Sequence, residues 1–161
     1  MSDWFTAQTF WTILLLLHGL SAIALMGALT HQLMSCWSKQ VRSATSNFMI
    51  RFQTVPAQRY SRAIAVLWVL CFAWGGWIYS EYRISVRMPM EQQGYFKTLG
   101  SFELKEHLAV IGLGLLPAYL WAWGQEGLMT LKRSLTTLLA GLGWYVFLAG
   151  HVVNNVRGFA A

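Results

Sequence analysis

The sequence predicts an all-α integral membrane protein, an up-down-up-down bundle of four helices, and three observations predict it. Hydrophobic residues make up 56% of the chain and charged residues only 11%, whereas a soluble domain carries roughly a quarter charged residues. Four apolar runs, over about 9–37, 62–80, 107–123 and 135–153, approach or exceed the roughly 20 residues that cross a bilayer as a helix. Nine tryptophans and six tyrosines supply the amphipathic rings that settle at two membrane interfaces. A length of 161 residues suits one domain, and 1–161 reads as a single transmembrane domain.

The first run is longer than a bilayer requires, so it is expected to tilt or project past the headgroups. It does not read as a cleaved signal peptide, because Asp3 stands where a basic region belongs and no cleavage site follows a short core. The connection over 42–58 is polar with scattered apolar residues and ends at Val55-Pro56, which predicts an irregular or interfacial segment. The connection after the second run holds Pro89, Gly94 and Tyr95-Phe96 and is expected to fold a short helix over its face of the bundle. Pro117 lies inside the third run, where it removes a backbone donor and should kink the helix. Short connections make each helix antiparallel to the next.

Loop charge predicts orientation. Lys39, Arg42, Arg51, Arg59 and Arg62 lie between the first two runs with no acidic residue among them. Lys132 and Arg133 face only Glu126 in the third connection. The middle connection is balanced, with Arg83, Arg87, Lys97 and Lys105 against Glu81, Glu91, Glu103 and Glu106. The positive-inside bias then puts the first and third loops in the cytoplasm. Both termini and the middle loop fall on the periplasmic side of a bacterial cytoplasmic membrane. The net charge of +6 is explained by this placement at helix ends, so the expected partner is the lipid bilayer and not nucleic acid.

No P-loop, GxSxG, HExxH or Cys/His zinc spacing occurs, and no nucleophile is placed for hydrolysis. The chemistry rests on the histidines, since an ionisable side chain within hydrocarbon is a functional hypothesis by default. His107 opens the third run behind the charged stretch Glu103-Leu104-Lys105-Glu106, and His151 lies near the end of the fourth. The two runs are antiparallel, so both imidazoles are expected at one depth just inside the outer boundary. Two imidazoles facing each other at one level are the axial ligands of a b-type haem. His107 and His151 are therefore the expected pair. His18, roughly 13 Å in from Thr9 at 1.5 Å per residue, is the alternative ligand. His31 is 13 positions further on, a step that turns the side chain by about 220°, so a second haem is not expected.

A haem also needs clearance and partners for its propionates. Gly114 lies seven residues past His107 on nearly the same face, and Trp144 lies seven before His151 as a possible wall. Gly112, Gly141, Gly143 and Gly150 offer similar relief, although glycine also serves close helix packing. Lys105, Arg157, Arg83 and Arg87 are the cations available to carboxylates. Glu103, Glu106, Asn154 and Asn155 are candidates to hold the far nitrogen of a ligating imidazole. The expected role is electron transfer through one haem b, more as a subunit than as a stand-alone enzyme, with a redox partner protein or other membrane subunits completing the circuit.

A copper reading competes with it. Met26, His31, Met34 and Cys36 in the first run and Cys71 in the second are soft ligands that suit copper(I). His31 and Met34 share a helical face, and Cys36 is rotated well away. Both cysteines also read as small buried hydrophobes. A structural subunit whose histidines only join helices is the third reading.

Two family resemblances bear on these readings. Arg59-Tyr60-Ser61-Arg62-Ala63, followed by an apolar run to Gly75-Gly76, resembles the second conserved helix of CopD-like membrane proteins. Lys105 is similar to a lysine that those proteins place before their next helix, while Glu106-His107 departs from the apolar continuation of that pattern. This resemblance implies a four-helix module associated with copper handling. Four helices with histidines near one face are also similar to small b-type cytochromes of the cytochrome b561 kind, which implies haem and electron transfer.

Overall fold

The computed structural model describes residues 7–38 and 56–156. Four long helices form the bundle. Helix α1 is Ala7–Trp37, α2 is Gln58–Tyr82, α4 is Phe96–Gly124 and α5 is Met129–Val156. A π-helical turn at Arg83–Arg87 carries α2 into the short helix α3, Met88–Gln92, so the second apolar rod runs unbroken from Gln58 to Gln92. Where the sequence predicts a short helix folded over the face of the bundle, α3 instead continues the second rod. Pro89 occupies the first turn of α3, where its ring fixes φ near the helical value. Gly94, at φ +77°, takes the left-handed conformation that turns the chain into α4.

All four rods are long and apolar enough to cross a membrane. Their outward faces carry large apolar side chains: Leu16 is 60% exposed, Ile23 61%, Val110 53% and Leu148 53%. Water does not tolerate apolar surface on this scale. Lipid does, and the protein is a membrane bundle. The third rod begins at Phe96, well before the His107 start expected from hydropathy, because the charged stretch stays helical. Pro117 lies inside α4, and the helix continues through it, as membrane helices allow.

The helices associate as two antiparallel hairpins, α1 with α2 and α4 with α5, and the contacts between hairpins, α1 with α5 and α2 with α4, are fewer. Those inter-hairpin contacts are concentrated at the end bearing the Gln125–Leu128 loop. There Tyr119 Oη donates to Gln32 Oε1 at 2.6 Å, Trp37 Nε1 to Thr137 Oγ1 at 3.1 Å, and Trp144 Nε1 to Thr30 Oγ1 at 3.2 Å. Gln58 Nε2 donates to the Trp123 carbonyl at 3.3 Å, Arg133 Nε to the Cys36 carbonyl at 2.9 Å, and Trp68 Nε1 to the Ala109 carbonyl at 3.2 Å. A core of Leu29, Ile64, Trp68, Leu116, Tyr119 and Leu139 fills the space between them.

Towards the other end, the α3 end, the hairpins part and then meet again at the tip. A smaller cluster of Tyr82, Val86, Met90, Leu99 and Val153 closes the tip, and Arg87 bridges Glu91 and Glu103 at 2.8 Å each on the exposed side. Between this cap and the hydrogen-bonded half lies a cavity.

Candidate functional site

The cavity has a volume of about 620 Å³, inside the range of roughly 300–1,000 Å³ that small-molecule sites occupy. It is a slot between the two hairpins. One wall comes from α1 and α2 through His18, Gly19, Cys71 and Gly75; the other comes from α4 and α5 through Lys105, Ala109, Gly150 and His151. Trp68, Met26 and Gly143 form its floor, and Tyr82, Val86 and Phe102 its cap. Each wall contributes one imidazole.

His18 reaches the slot because Gly75 on α2 leaves it room. Its Cε1 and Nδ1 lie 3.2 and 3.7 Å from where a Cβ on Gly75 would stand. Nδ1 is buried without a well-formed hydrogen bond, and the Cys71 carbonyl is the backbone acceptor beside the ring. His151 sits on the flank of α5 that faces α1, exposed at the rim of the slot. The pairs Thr30–Trp144 and Trp37–Thr137 set the register of α1 against α5. In that register His18 lies about five residues, roughly 7.5 Å, nearer the α3 end than His151.

Lys105 lies against the opposite glycine, with Nζ 3.2 Å from the position of a Cβ on Gly150 and 4.6 Å from the centre of the Phe102 ring. That ring stacks on Tyr82 at 4.1 Å. Glu106 lines the slot beside Lys105, so the wall carries one charge of each sign. Such a wall can hold a flat apolar body, offer nitrogen lone pairs from two sides and meet one carboxylate.

No family model, curated protein or solved structure matches the chain. The site is therefore read from its own residues.

Of the expected pair His107 and His151, only His151 lines the slot. His107 is exposed, does not line the slot, and places Nδ1 2.7 Å from the Glu103 carbonyl of its own helix, to which it donates. The reason is rotational. Both histidines belong to the α4–α5 hairpin, whose helices pack closely, and α4 is turned so that Lys105, Ala109 and Gly112 face inward. Gly112 in turn receives the Trp68 indole: a Cβ there would stand 2.0 Å from Trp68 Cζ2. Gly114 faces open space, away from the slot. Trp144 does not wall the cavity; its indole joins α5 to Thr30. Arg157 lies outside the described residues. Arg87 is occupied by Glu91 and Glu103. Asn154 does line the slot.

The soft ligands of the copper reading are divided: Met26 and Cys71 line the slot, while His31, Met34 and Cys36 lie nearer the loop end. His31 is buried with its ring 4.7 Å from that of Tyr60, and Cys36 is a buried free thiol in the main core. Met34 is half-buried on the same stretch of α1. Among the described residues no three His, Cys, Asp or Glu side chains gather where they could hold a metal ion. Sequence reasoning passed over Trp68 and the pairing of His18 with Gly75. The second had a signal: the Gly75-Gly76 pair lies at the depth of His18 on the neighbouring antiparallel helix.

Proposed function

We propose that this chain is a membrane-embedded b-type cytochrome, an electron-transfer subunit that holds one haem in the slot between its hairpins. The observation that carries the reading is the placement of His18 on one wall and His151 on the other, in a cavity of about 620 Å³ relieved by glycines on both sides. The residues fit the group. His18 with its Cys71 carbonyl neighbour and His151 beside Asn154 would supply the iron ligands, the glycines leave room beside the helices, and Lys105 would meet a propionate.

Bound haem supplies a one-electron iron couple whose potential follows from its ligands, its burial and nearby charge. The chain's own part is to fix the imidazoles, exclude water with the Tyr82–Phe102 cap, and set the local field with Lys105 and Glu106. The positive-inside bias places the slot towards the periplasmic side of a bacterial cytoplasmic membrane, with both termini on that side. A redox protein or a further membrane subunit is needed there, because a haem near one face does not span the bilayer.

Absorption spectra of the purified protein, oxidised and dithionite-reduced, test the proposal. A sharp reduced α-band is expected in the wild type and in His107→Ala, and its loss in His18→Ala and in His151→Ala. A colourless preparation from haem-supplemented cells would overturn the cytochrome. A band that survives in either His18→Ala or His151→Ala would overturn the ligand pair.

A further inference from the structure

Aromatic side chains narrow the slot along the bundle axis in both directions, and its other openings are its edges. The cap of Tyr82 and Phe102 rings, stacked at 4.1 Å, lies between the cavity and the α3 end. The Trp68 indole, anchored on the Ala109 carbonyl at 3.2 Å, blocks the other direction. Along the edge between α2 and α4, by contrast, Phe72, Gly76 and Val110 line the cavity and are also exposed on the outer surface. Apolar groups that line the cavity and stay this exposed mark a stretch where the wall is low.

Helical spacing places this opening. Phe72 and Gly76 follow Trp68 at steps of four, on the flank of α2 turned towards α4. Glu106 and Val110, again four apart, occupy the answering flank of α4. Gly76 has no side chain and open space beside it, so this rim is low as well as apolar. The opposite edge, between α1 and α5, carries the exposed Leu16 together with His151 and Asn154, which makes it the more polar of the two.

We propose that the slot takes its occupant sideways from the bilayer, through the edge between α2 and α4, and that this occupant is a flat, apolar-bodied molecule dissolved in lipid. The inference rests on the shape of the slot and holds for any such occupant, haem or not. Its test therefore uses no haem. Cys71 lines the slot and serves as the reporter in a Cys36→Ala background, the only other cysteine being removed.

The full chain is reconstituted in liposomes, and Cys71 labelling is timed with N-phenylmaleimide and with a charged trimethylammonium methanethiosulfonate. The apolar reagent is expected to label Cys71 and the charged one to fail. Gly76→Trp and Val110→Trp, two independent rim substitutions, should each slow labelling several-fold. Gly114→Trp, on the outer face of α4 with open space around it, should not. Equal labelling by the charged reagent, no labelling by the apolar one, or rim tryptophans without effect would each overturn the lateral route.

Discussion

The His18 imidazole rests on the bare backbone of Gly75, its Cε1 3.2 Å from the place a Cβ would take. That contact fixes the ring by leaving something out. A methyl group there is tighter than ordinary van der Waals contact, so Gly75→Ala must push the ring by a few tenths of an ångström and Gly75→Val further. The expected outcome is graded: the haem band shifts or weakens in Gly75→Ala and is largely lost in Gly75→Val. Gly76→Ala, with open space beside it, leaves the spectrum unchanged. Equal spectra for all three variants would dissociate His18 from the iron.

A second glycine has a structural task. Gly112 lies under the Trp68 ring so closely that a Cβ would stand 2.0 Å from Cζ2. The indole is itself held by the Ala109 carbonyl, and Trp68 is 3% exposed. It cannot swing aside as a lysine would. Overpacking of this kind costs about 1–3 kcal/mol, so Gly112→Ala should lower the unfolding midpoint in detergent. Trp68→Phe should restore part of that loss in the double variant, because the two changes share one contact.

The general architecture was legible in the sequence, since apolar runs of bilayer length need no tertiary information. The start of the third rod was hidden, because Lys97, Glu103, Lys105 and Glu106 depress hydropathy over a stretch that is helical nonetheless. Each charge has its own outlet: Lys97 is exposed, Glu103 pairs with Arg87, and Lys105 and Glu106 face the slot. The depth of a histidine follows from counting residues. Its azimuth follows from which side chains its helix packs, and the count for His107 and His151 carried no such information. On α4 the indole of Trp68 seats Gly112 inward, which turns His107 out. His18, assigned on depth to an alternative role, is the one that packing brings inside.

The hydrogen-bonded half of the bundle should be separable from the site. Tyr119 and Gln32 are both fully buried, and the tyrosine hydroxyl donates to the amide oxygen at 2.6 Å, while the Gln32 amide donates to the Ala57 carbonyl at 3.0 Å. This chain ties α4 to α1 and to the start of α2. Polar contacts between membrane helices average about 0.6 kcal/mol and reach about 1.7. Tyr119→Phe should destabilise by about that much, read from unfolding in a detergent titration. The haem band should not move, because the change lies at the far end from His18 and His151.

Lys105 and Glu106 bring opposite charges to the slot, and their removal should move the potential of the proposed haem in opposite directions. Reduction adds negative charge at the iron. A nearby ammonium stabilises the reduced form and a carboxylate the oxidised one. In an environment of effective dielectric about 20, a unit charge some 8–10 Å away contributes on the order of 2 kcal/mol, a shift of tens of millivolts. Lys105→Met should therefore lower the midpoint potential and Glu106→Gln should raise it. His107→Ala, exposed and outside the slot, should change it little. Redox titration of the three variants, followed at the reduced α-band, reads the signs directly, and equal shifts in Lys105→Met and Glu106→Gln would place the haem outside the slot.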